Sequence, residues 1–440
     1  VNDRPKHKRG IPGDVRGYDA RSGALRWVFH TIPAEGELGT ETWEDEAWRY
    51  TGAANVWGPM SVDPELGRVY VTTSTPTNDY YGGHRLGDNL FGETLLCLDA
   101  ETGKRIWHFQ LVRHGLWDYD PGAPANLVDL EVEGRSIRAV AQVTKQAFVF
   151  VFDRETGEPV WPIEDRPVPA SDVPGERTSP TQPFPTKPPP FDRQGTFEED
   201  LIDFTPELHA EALALFRRYR TGPLFTPPSL EGTLVLPGPN GGSNWMGAGF
   251  DPETRRLYVP SITEVSLNSV KAGDPAETDL RYHTDLSLSV SIPEGSWLAL
   301  DGIRLFKPPY SRITAFDLDR GEIAWQVPNG NGPRDNPALA GLDLPPLGSG
   351  GHTCVLVTKS LLFAADGGAG RWSPYGKPIF RAYDKATGAV VGEIELPAMV
   401  RGCPMTYLHR NVQYLVLPVG DRDHDPELIA LALPDAARGR

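Results

Sequence analysis

Cysteine is scarce. The 440 residues include Cys97, Cys354 and Cys403, and none of them forms a CxxC, a CxxCH or an adjacent pair. Those spacings exclude a covalently attached c-type haem and a dithiol redox motif. Cys97 and Cys354 lie in apolar, strand-like runs and read as buried thiols, and the odd count leaves the redox compartment open. Long apolar runs are missing too: none approaches the roughly 20 residues of a membrane-spanning helix. Positive charge is in deficit, with 43 Lys and Arg against 59 Asp and Glu and a net charge of −16. That balance argues against a nucleic-acid partner, which needs clustered cations along a phosphate backbone. No HExxH, GxSxG or Walker pattern occurs, and the ten histidines lack metal-ligand spacing. A signal peptide is not visible, but the chain opens Val1-Asn2-Asp3 rather than with Met, a few residues before a complete repeat. The expectation is a C-terminal fragment or processed chain, in which that absence carries no information.

One short phrase recurs. It reads Tyr18-Asp19-Ala20-Arg21-Ser22-Gly23, then Trp27; Leu98-Asp99-Ala100-Glu101-Thr102-Gly103, then Trp107; and Phe152-Asp153-Arg154-Glu155-Thr156-Gly157, then Trp161. Further copies are Phe316-Asp317-Leu318-Asp319-Arg320-Gly321, then Trp325, and Tyr383-Asp384-Lys385-Ala386-Thr387-Gly388, with Gly392 where the others have Trp. An apolar strand ends at the Asp, whose carboxylate accepts from turn amides, and Gly supplies the positive φ that closes the turn. The next strand leaves with Trp on its buried face, placed to staple one unit to its neighbour through a partner for the indole N–H. A second hairpin, Val62-Asp63-Pro64-Glu65, recurs as Phe250-Asp251-Pro252-Glu253, with a weaker relative at 353–365. Each full unit therefore combines an Asp-Pro hairpin with an Asp/Gly/Trp hairpin. Such units bury their faces only by stacking, and with uneven spacing they predict the blades of an all-β propeller interrupted by long insertions. One insertion, 162–235, is Pro-rich, and inside it 206–219 has helical spacing behind Thr205 as N-cap.

Four stretches could carry chemistry. In Arg113-His114-Gly115-Leu116-Trp117-Asp118-Tyr119-Asp120, two acids, a His and an Arg crowd around two aromatics just after a strand. Turn-capping acids are the plain alternative there. Lys145 interrupts an apolar strand pair predicted over 139–143 and 147–153. It is either an exposed turn lysine or one facing a ligand, and the flanking apolar residues favour the ligand. Residues 72–85, rich in Thr, Asn and Asp, offer oxygen ligands for Ca2+ or Mg2+ and equally suit ordinary turns. Gly241-Gly242-Ser243-Asn244-Trp245 lacks the GxGxxG of a dinucleotide fold, and its Trp is either a floor for a planar cofactor or a core residue.

The whole chain resembles the quinoprotein dehydrogenases, eight-bladed β-propellers that use pyrroloquinoline quinone, and is most similar to their membrane-bound glucose-dehydrogenase-like branch. The recurring phrase resembles that family's tryptophan-docking motif. The other stretches carrying the likeness are Gly13-Asp14-Val15-Arg16-Gly17-Tyr18-Asp19, His114 to Asp120, Val143-Thr144-Lys145, Thr181-Gln182-Pro183-Phe184, Phe225-Thr226-Pro227-Pro228 and Pro404-Met405-Thr406-Tyr407.

The resemblance implies roles. Asp118 matches the catalytic base, and Lys145 the lysine that contacts the quinone oxygens in the glucose-oxidising branch. Thr75 matches a cofactor or metal contact. Asp3, in Asn2-Asp3, resembles part of an Asp-Asn pair near the metal, in inverted order. Asn244 and Trp245 match the cofactor wall. The implied metal set is Asp3, Thr75 and Asp118, holding Ca2+ or Mg2+, and the adjacent-cysteine ring of alcohol-oxidising members is absent. The expectation is one propeller domain over 1–440 with about six of eight blades. It would oxidise a sugar, polyol or alcohol and pass electrons to a membrane quinone or another acceptor. Its expected place is the periplasm, with attachment to the inner membrane through a preceding segment. The competing reading is a catalytically inactive propeller serving as a binding or assembly scaffold.

Overall fold

The computed structural model describes residues 7–285, 299–366 and 378–434. Asp3 lies outside the described residues. The chain divides into two compact units, one running up to Trp245 and including Glu264–Lys307, the other formed by Met246–Thr263 and the chain from Pro308 onward.

The first unit opens with the antiparallel pair β1 (Val15–Tyr18) and β2 (Leu25–Phe29). A four-stranded sheet follows, in order β3 (Ser61–Asp63), β4 (Arg68–Thr72), β5 (Thr94–Asp99), β6 (Arg105–Gln110). It joins the Asp63-Pro64 hairpin to the second copy of the phrase, as the sequence predicts. Next come β7 (Asn126–Val132), β8 (Arg135–Val143) and β9 (Val149–Asp153), paired in order. The pair β10 (Ile163–Pro167) and β11 (Thr181–Pro185) lies inside the Pro-rich excursion. Helix α1 (Pro206–Phe216) forms where its spacing predicts, with the Thr205 side chain accepting from Leu208 N and Leu208, Ala212 and Phe216 buried. Among the described residues no helix is long and apolar enough to cross a membrane. The core joins Leu95, Trp107, Trp117, Tyr119, Phe148, Phe150, Phe152 and Phe225.

The second unit repeats the plan. One four-stranded sheet runs Gly249–Asp251, Arg256–Ile262, Ser311–Asp317, Glu322–Pro328, and a second runs Val355–Val357, Leu361–Ala365, Ile379–Asp384, Val390–Glu395. A three-stranded sheet closes the chain at Met405–His409, Val412–Val419 and Glu427–Ala432. The sequence reading of Cys354 as a buried thiol is corrected here: it is bonded to Cys403, 49 residues on. Cys97 is the free, buried cysteine. The pairing escapes sequence inspection because the two residues lie in loops 49 positions apart in the chain.

The turns of the recurring phrase share one local geometry, but after the third copy Trp161 lies in a bend rather than on the expected strand. Asp19, Asp99, Asp153 and Asp384 each accept, through Oδ1, from the backbone N–H groups two and three residues on. The indoles of Trp27, Trp107 and Trp325 donate to the backbone carbonyls of Ala100, Arg154 and Lys385, at 3.1, 3.2 and 3.0 Å. Each acceptor is the residue after a phrase Asp. The phrase glycines have a second reason to be glycine beyond their φ of +70 to +79°. A Cβ at Gly103, Gly157 or Gly388 would stand 2.5–2.7 Å from the ring of Trp27, Trp107 or Trp325.

Candidate functional site

The site is built on two loops of the first unit. One is 113–120, following β6. Trp117 and Tyr119 are fully buried, with Trp117 Nε1 donating to Thr226 O (2.9 Å) and the Tyr119 hydroxyl to Pro237 O (2.6 Å). The two aromatics pin the loop from inside and leave Asp118 between them, with φ +56° and its side chain 23% exposed. The other loop is the tight connection 144–148 between β8 and β9, closed by Thr144 N to Phe148 O and by Ala147 N to Thr144 O, with Ala147 at φ +70°. It delivers Lys145, 4% exposed, to Asp118. The ammonium donates to Asp118 Oδ1 at 2.9 Å and to Asp118 O at 2.7 Å. Burial lowers the affinity of the Lys145 amine for its proton, but the charges of Asp118, Asp120 and Asp79 outweigh it and hold the amine above its ordinary range.

Two residues after Asp118, Asp120 gathers three donors. Thr75 N and Thr75 Oγ1 both reach Asp120 Oδ1, at 2.7 and 2.8 Å, and Trp57 Nε1 reaches Oδ2 at 2.8 Å. Thr75 is thus brought into the constellation through Asp120. Trp57 is 42% exposed, with its ring centre 5.8 Å from Lys145 Nζ. Gly122 backs the ring, and a Cβ there would stand 2.4 Å from it. Nothing local in the sequence marks Trp57, since its bond to Asp120 spans 63 residues.

Glu93 also escaped sequence reading. It is fully buried, and neither carboxyl oxygen has a hydrogen-bond partner. Burial, reinforced by the charges of Asp120 and Asp118, pushes its carboxyl up to about 8, against the pull of Arg85. The Thr75 proton is committed to Asp120, which explains why Glu93 has no donor. Gly115 makes room for this carboxyl: a Cβ there would lie 1.6 Å from Glu93 Oε2.

The glycine-rich stretch packs on the lysine. Gly242 N donates to Lys145 O (2.8 Å), and a Cβ on Gly241 would collide with Lys145 Cγ at 2.5 Å. Asn244 bonds within its own loop, to Asn240 O, and Trp245 is 38% exposed rather than a core residue. The structure therefore joins Asp118, Lys145 and Thr75, places the backbone of Gly241-Gly242 beside them, and keeps the Asn244 side chain on local bonds. Among the described residues no group of three or more His, Cys, Asp or Glu side chains is arranged to hold a metal ion. The hard oxygens of Asp118, Asp120 and Thr75 suit Ca2+ or Mg2+ in kind, for an ion that shares its remaining ligands with a bound molecule. The exposed ring of Trp57 beside the Lys145 ammonium is the feature that fits such a molecule.

Residues 1–415 match the family described as the PQQ glucose/ethanol/alcohol dehydrogenase β-propeller domain. The glycerol dehydrogenase large subunit of Gluconobacter oxydans is 31% identical over 96% of this chain and 60% of its own length. The quinate/shikimate dehydrogenase (quinone) of Acinetobacter baylyi is 29% identical over 96% of this chain and 54% of its own. For the quinoprotein glucose dehydrogenase of Escherichia coli the figures are 28%, 97% and 55%. The chain thus spans little more than half the length of these relatives. Among solved structures, the quinohemoprotein alcohol dehydrogenase ADHIIG of Pseudomonas putida superposes with a TM-score of 0.63 at 21% identity, covering 94% of this chain and 53% of the other. A europium-containing methanol dehydrogenase gives 0.61 at 20%, covering 94% and 62%. At these identities the structural likeness speaks for the propeller fold.

Proposed function

Because the chain belongs to the family of PQQ-dependent glucose/ethanol/alcohol dehydrogenase β-propellers, we propose that it is the catalytic propeller of a quinoprotein dehydrogenase that oxidises a sugar, polyol or alcohol hydroxyl, with Asp118 as base. The observation that carries the reading is the buried Lys145 ammonium on the carboxylate and carbonyl of Asp118, beside the open face of Trp57. A scaffold has no use for a lysine buried in an apolar hairpin and aimed at a half-open acid, which is costly to place there.

When bound, pyrroloquinoline quinone would supply a two-electron acceptor for the substrate's hydride, and a divalent cation would supply Lewis acidity beside it. Asp118 receives the hydroxyl proton, and the loop aromatics Trp117 and Tyr119 hold it for that transfer. Lys145 supplies a fixed positive charge where negative charge develops. Trp57, held by Asp120, offers a flat face to a planar ring. Asp118 and Thr75 are the described residues proposed to hold the cation, with Asp3 from the notional Asn2-Asp3 pair, and Asn244 and Trp245 extend the cofactor wall. The six sheets that carry or follow the recurring phrase support a propeller of the eight-bladed type with about six blades in this chain. The Cys354–Cys403 disulfide favours an oxidising compartment, here the periplasm; the acceptor proposed for the electrons is a membrane quinone.

The test is dye-linked oxidation across sugars, polyols and alcohols, with pyrroloquinoline quinone and Ca2+ or Mg2+ added singly and together. Reduction that requires both quinone and cation supports the reading and ranks the substrates. Failure to bind quinone and to reduce dye, in the full-length protein, overturns it.

A further inference from the structure

The Pro-rich excursion reads from sequence as surface ornament, yet it grips the start of the Asp118 loop at both Arg113 and His114. Gln182 and Arg113 form a reciprocal pair: Arg113 N donates to Gln182 Oε1 (2.9 Å), and Gln182 Nε2 donates to Arg113 O (2.7 Å). Arg113 also reaches Thr181 Oγ1 at 3.1 Å and Asp165 at 2.9 Å. One residue on, the His114 ring is buried between two acceptors, Gly87 O at 2.8 Å from Nδ1 and Glu176 Oε1 at 2.7 Å from Nε2. The two side chains are 1% and 2% exposed. Glu176 is itself held by the backbone N–H groups of Gly82 and Arg177. Burial pushes its carboxyl up, but the His114 ring, the Gly82 N–H and the buried Arg85 guanidinium together hold it below its ordinary range. A buried carboxylate–imidazole contact that is fully hydrogen-bonded is a directional tie rather than a solvated surface pair.

We propose that Glu176 and Gln182 are positioning residues: the excursion is a brace that fixes Arg113 and His114 and thereby sets Asp118 against Lys145. The inference rests on the reading of Asp118 as the base. From inside, Trp117 and Tyr119 anchor the loop to Thr226 and Pro237; from outside, Glu176 and Gln182 anchor its first turn. Held at both ends, the short segment between them has one way to present Asp118.

The test pairs turnover with amide hydrogen exchange on the full chain. Glu176→Ala and Gln182→Ala each lower kcat by about 10- to 100-fold, the cost of misplacing a reacting group by roughly 1 Å, while KM and quinone affinity stay within about threefold. In an Asp118→Asn background the same changes cost less than about twofold, because a brace acts only through the group it places. Peptides covering 116–120 exchange faster in Glu176→Ala, whereas those of β5 and β9 do not. Equal losses with and without the Asp118 carboxylate overturn the proposal, as does unchanged exchange over 116–120. Should Glu176→Ala fail to fold, Gln182→Ala, which removes one amide pair, carries the same test. If Asp118→Asn turns over like the parent, the base reading fails separately, and the exchange result still decides whether the brace holds the loop.

Discussion

Lys145 holds Asp118 at two points at once, donating to its side-chain Oδ1 and to its own backbone carbonyl. The second bond matters because Asp118 sits at φ +56°, where a non-glycine residue needs its backbone held. The lysine therefore both charges the site and fixes the conformation of Asp118.

Removing the charge and removing the grip have different expected outcomes. Asp118→Asn keeps an acceptor for Lys145 but loses the proposed base, so kcat is expected to fall by about 10²–10⁴-fold while quinone binding persists. Lys145→Ala loses both bonds to Asp118 and the charge beside the cofactor face, so quinone affinity drops about tenfold or more. Quinone titration by fluorescence quenching, alongside dye reduction, separates the two. Retained turnover in Asp118→Asn dismisses it as the base, and unchanged affinity in Lys145→Ala dismisses the lysine as a cofactor contact.

Glu93 gives the fold a pH dependence whose sign follows from its burial. Its carboxyl titrates at about 8 in the folded chain against an ordinary 4.5. Between those values the folded chain keeps a proton that the unfolded chain has released, so stability is full below pH 4.5, falls as pH rises and levels off above about 8. The fall is on the order of a few kcal/mol. Glu93→Gln carries a constant packing cost but no titration. Urea midpoints in chelator-treated buffer should therefore move apart, with the variant gaining on the parent as pH goes from 5 to 8.5, on the order of a few kcal/mol in all. Parallel curves would mean that Glu93 does not titrate in this window.

Much of the architecture was legible because the chain repeats a local solution. Asp99 and Asp153 cap their turns where spacing says they should, and the Asp63-Pro64 and Asp251-Pro252 hairpins each join a copy of the phrase in one sheet. Asp118 and Lys145 were legible for different reasons, Asp118 as one of two acids crowded with an Arg and a His around aromatics, Lys145 as a polar residue between two apolar strands. Trp57, Glu93 and Glu176 were not. An exposed Trp, a Glu after a glycine and a Glu in a Pro-rich loop are ordinary in sequence, and only long-range contacts give them partners or deny them any. The β7 strand carried a usable signal that the sequence reading did not take up: Val128, Leu130 and Val132 alternate with Asp129 and Glu131, the period-2 pattern of a half-buried strand.

The cysteines give a count. With Cys354 bonded to Cys403 and Cys97 buried, alkylation of the native protein should label no thiol, and alkylation after unfolding without reductant should label one. Cross-linking across 49 residues restrains the unfolded chain, so Cys403→Ser should lower stability by about 2–4 kcal/mol. Three labelled thiols in unreduced, unfolded protein would show that the bond does not form.

The packing of tryptophan on glycine can be isolated because the chain contains its own control. Gly157 and Gly134 both sit at positive φ, +79° and +75°. An alanine at either must enter the left-handed region, at about 1–2 kcal/mol. At Gly134 nothing lies within 4 Å of the new methyl, whereas at Gly157 it meets the Trp107 ring at 2.7 Å. The ring cannot retreat easily, since its indole N–H is held by Arg154 O and its faces pack among Tyr70 and Phe152. Gly157→Ala should therefore cost about 1–3 kcal/mol more than Gly134→Ala in urea unfolding, the range for overpacking a filled site. It should also shift the tryptophan emission of the folded state, which Gly134→Ala leaves alone. Equal costs at the two positions would mean that backbone conformation alone selects glycine in the phrase, and that the indole rests against the turn without depending on it.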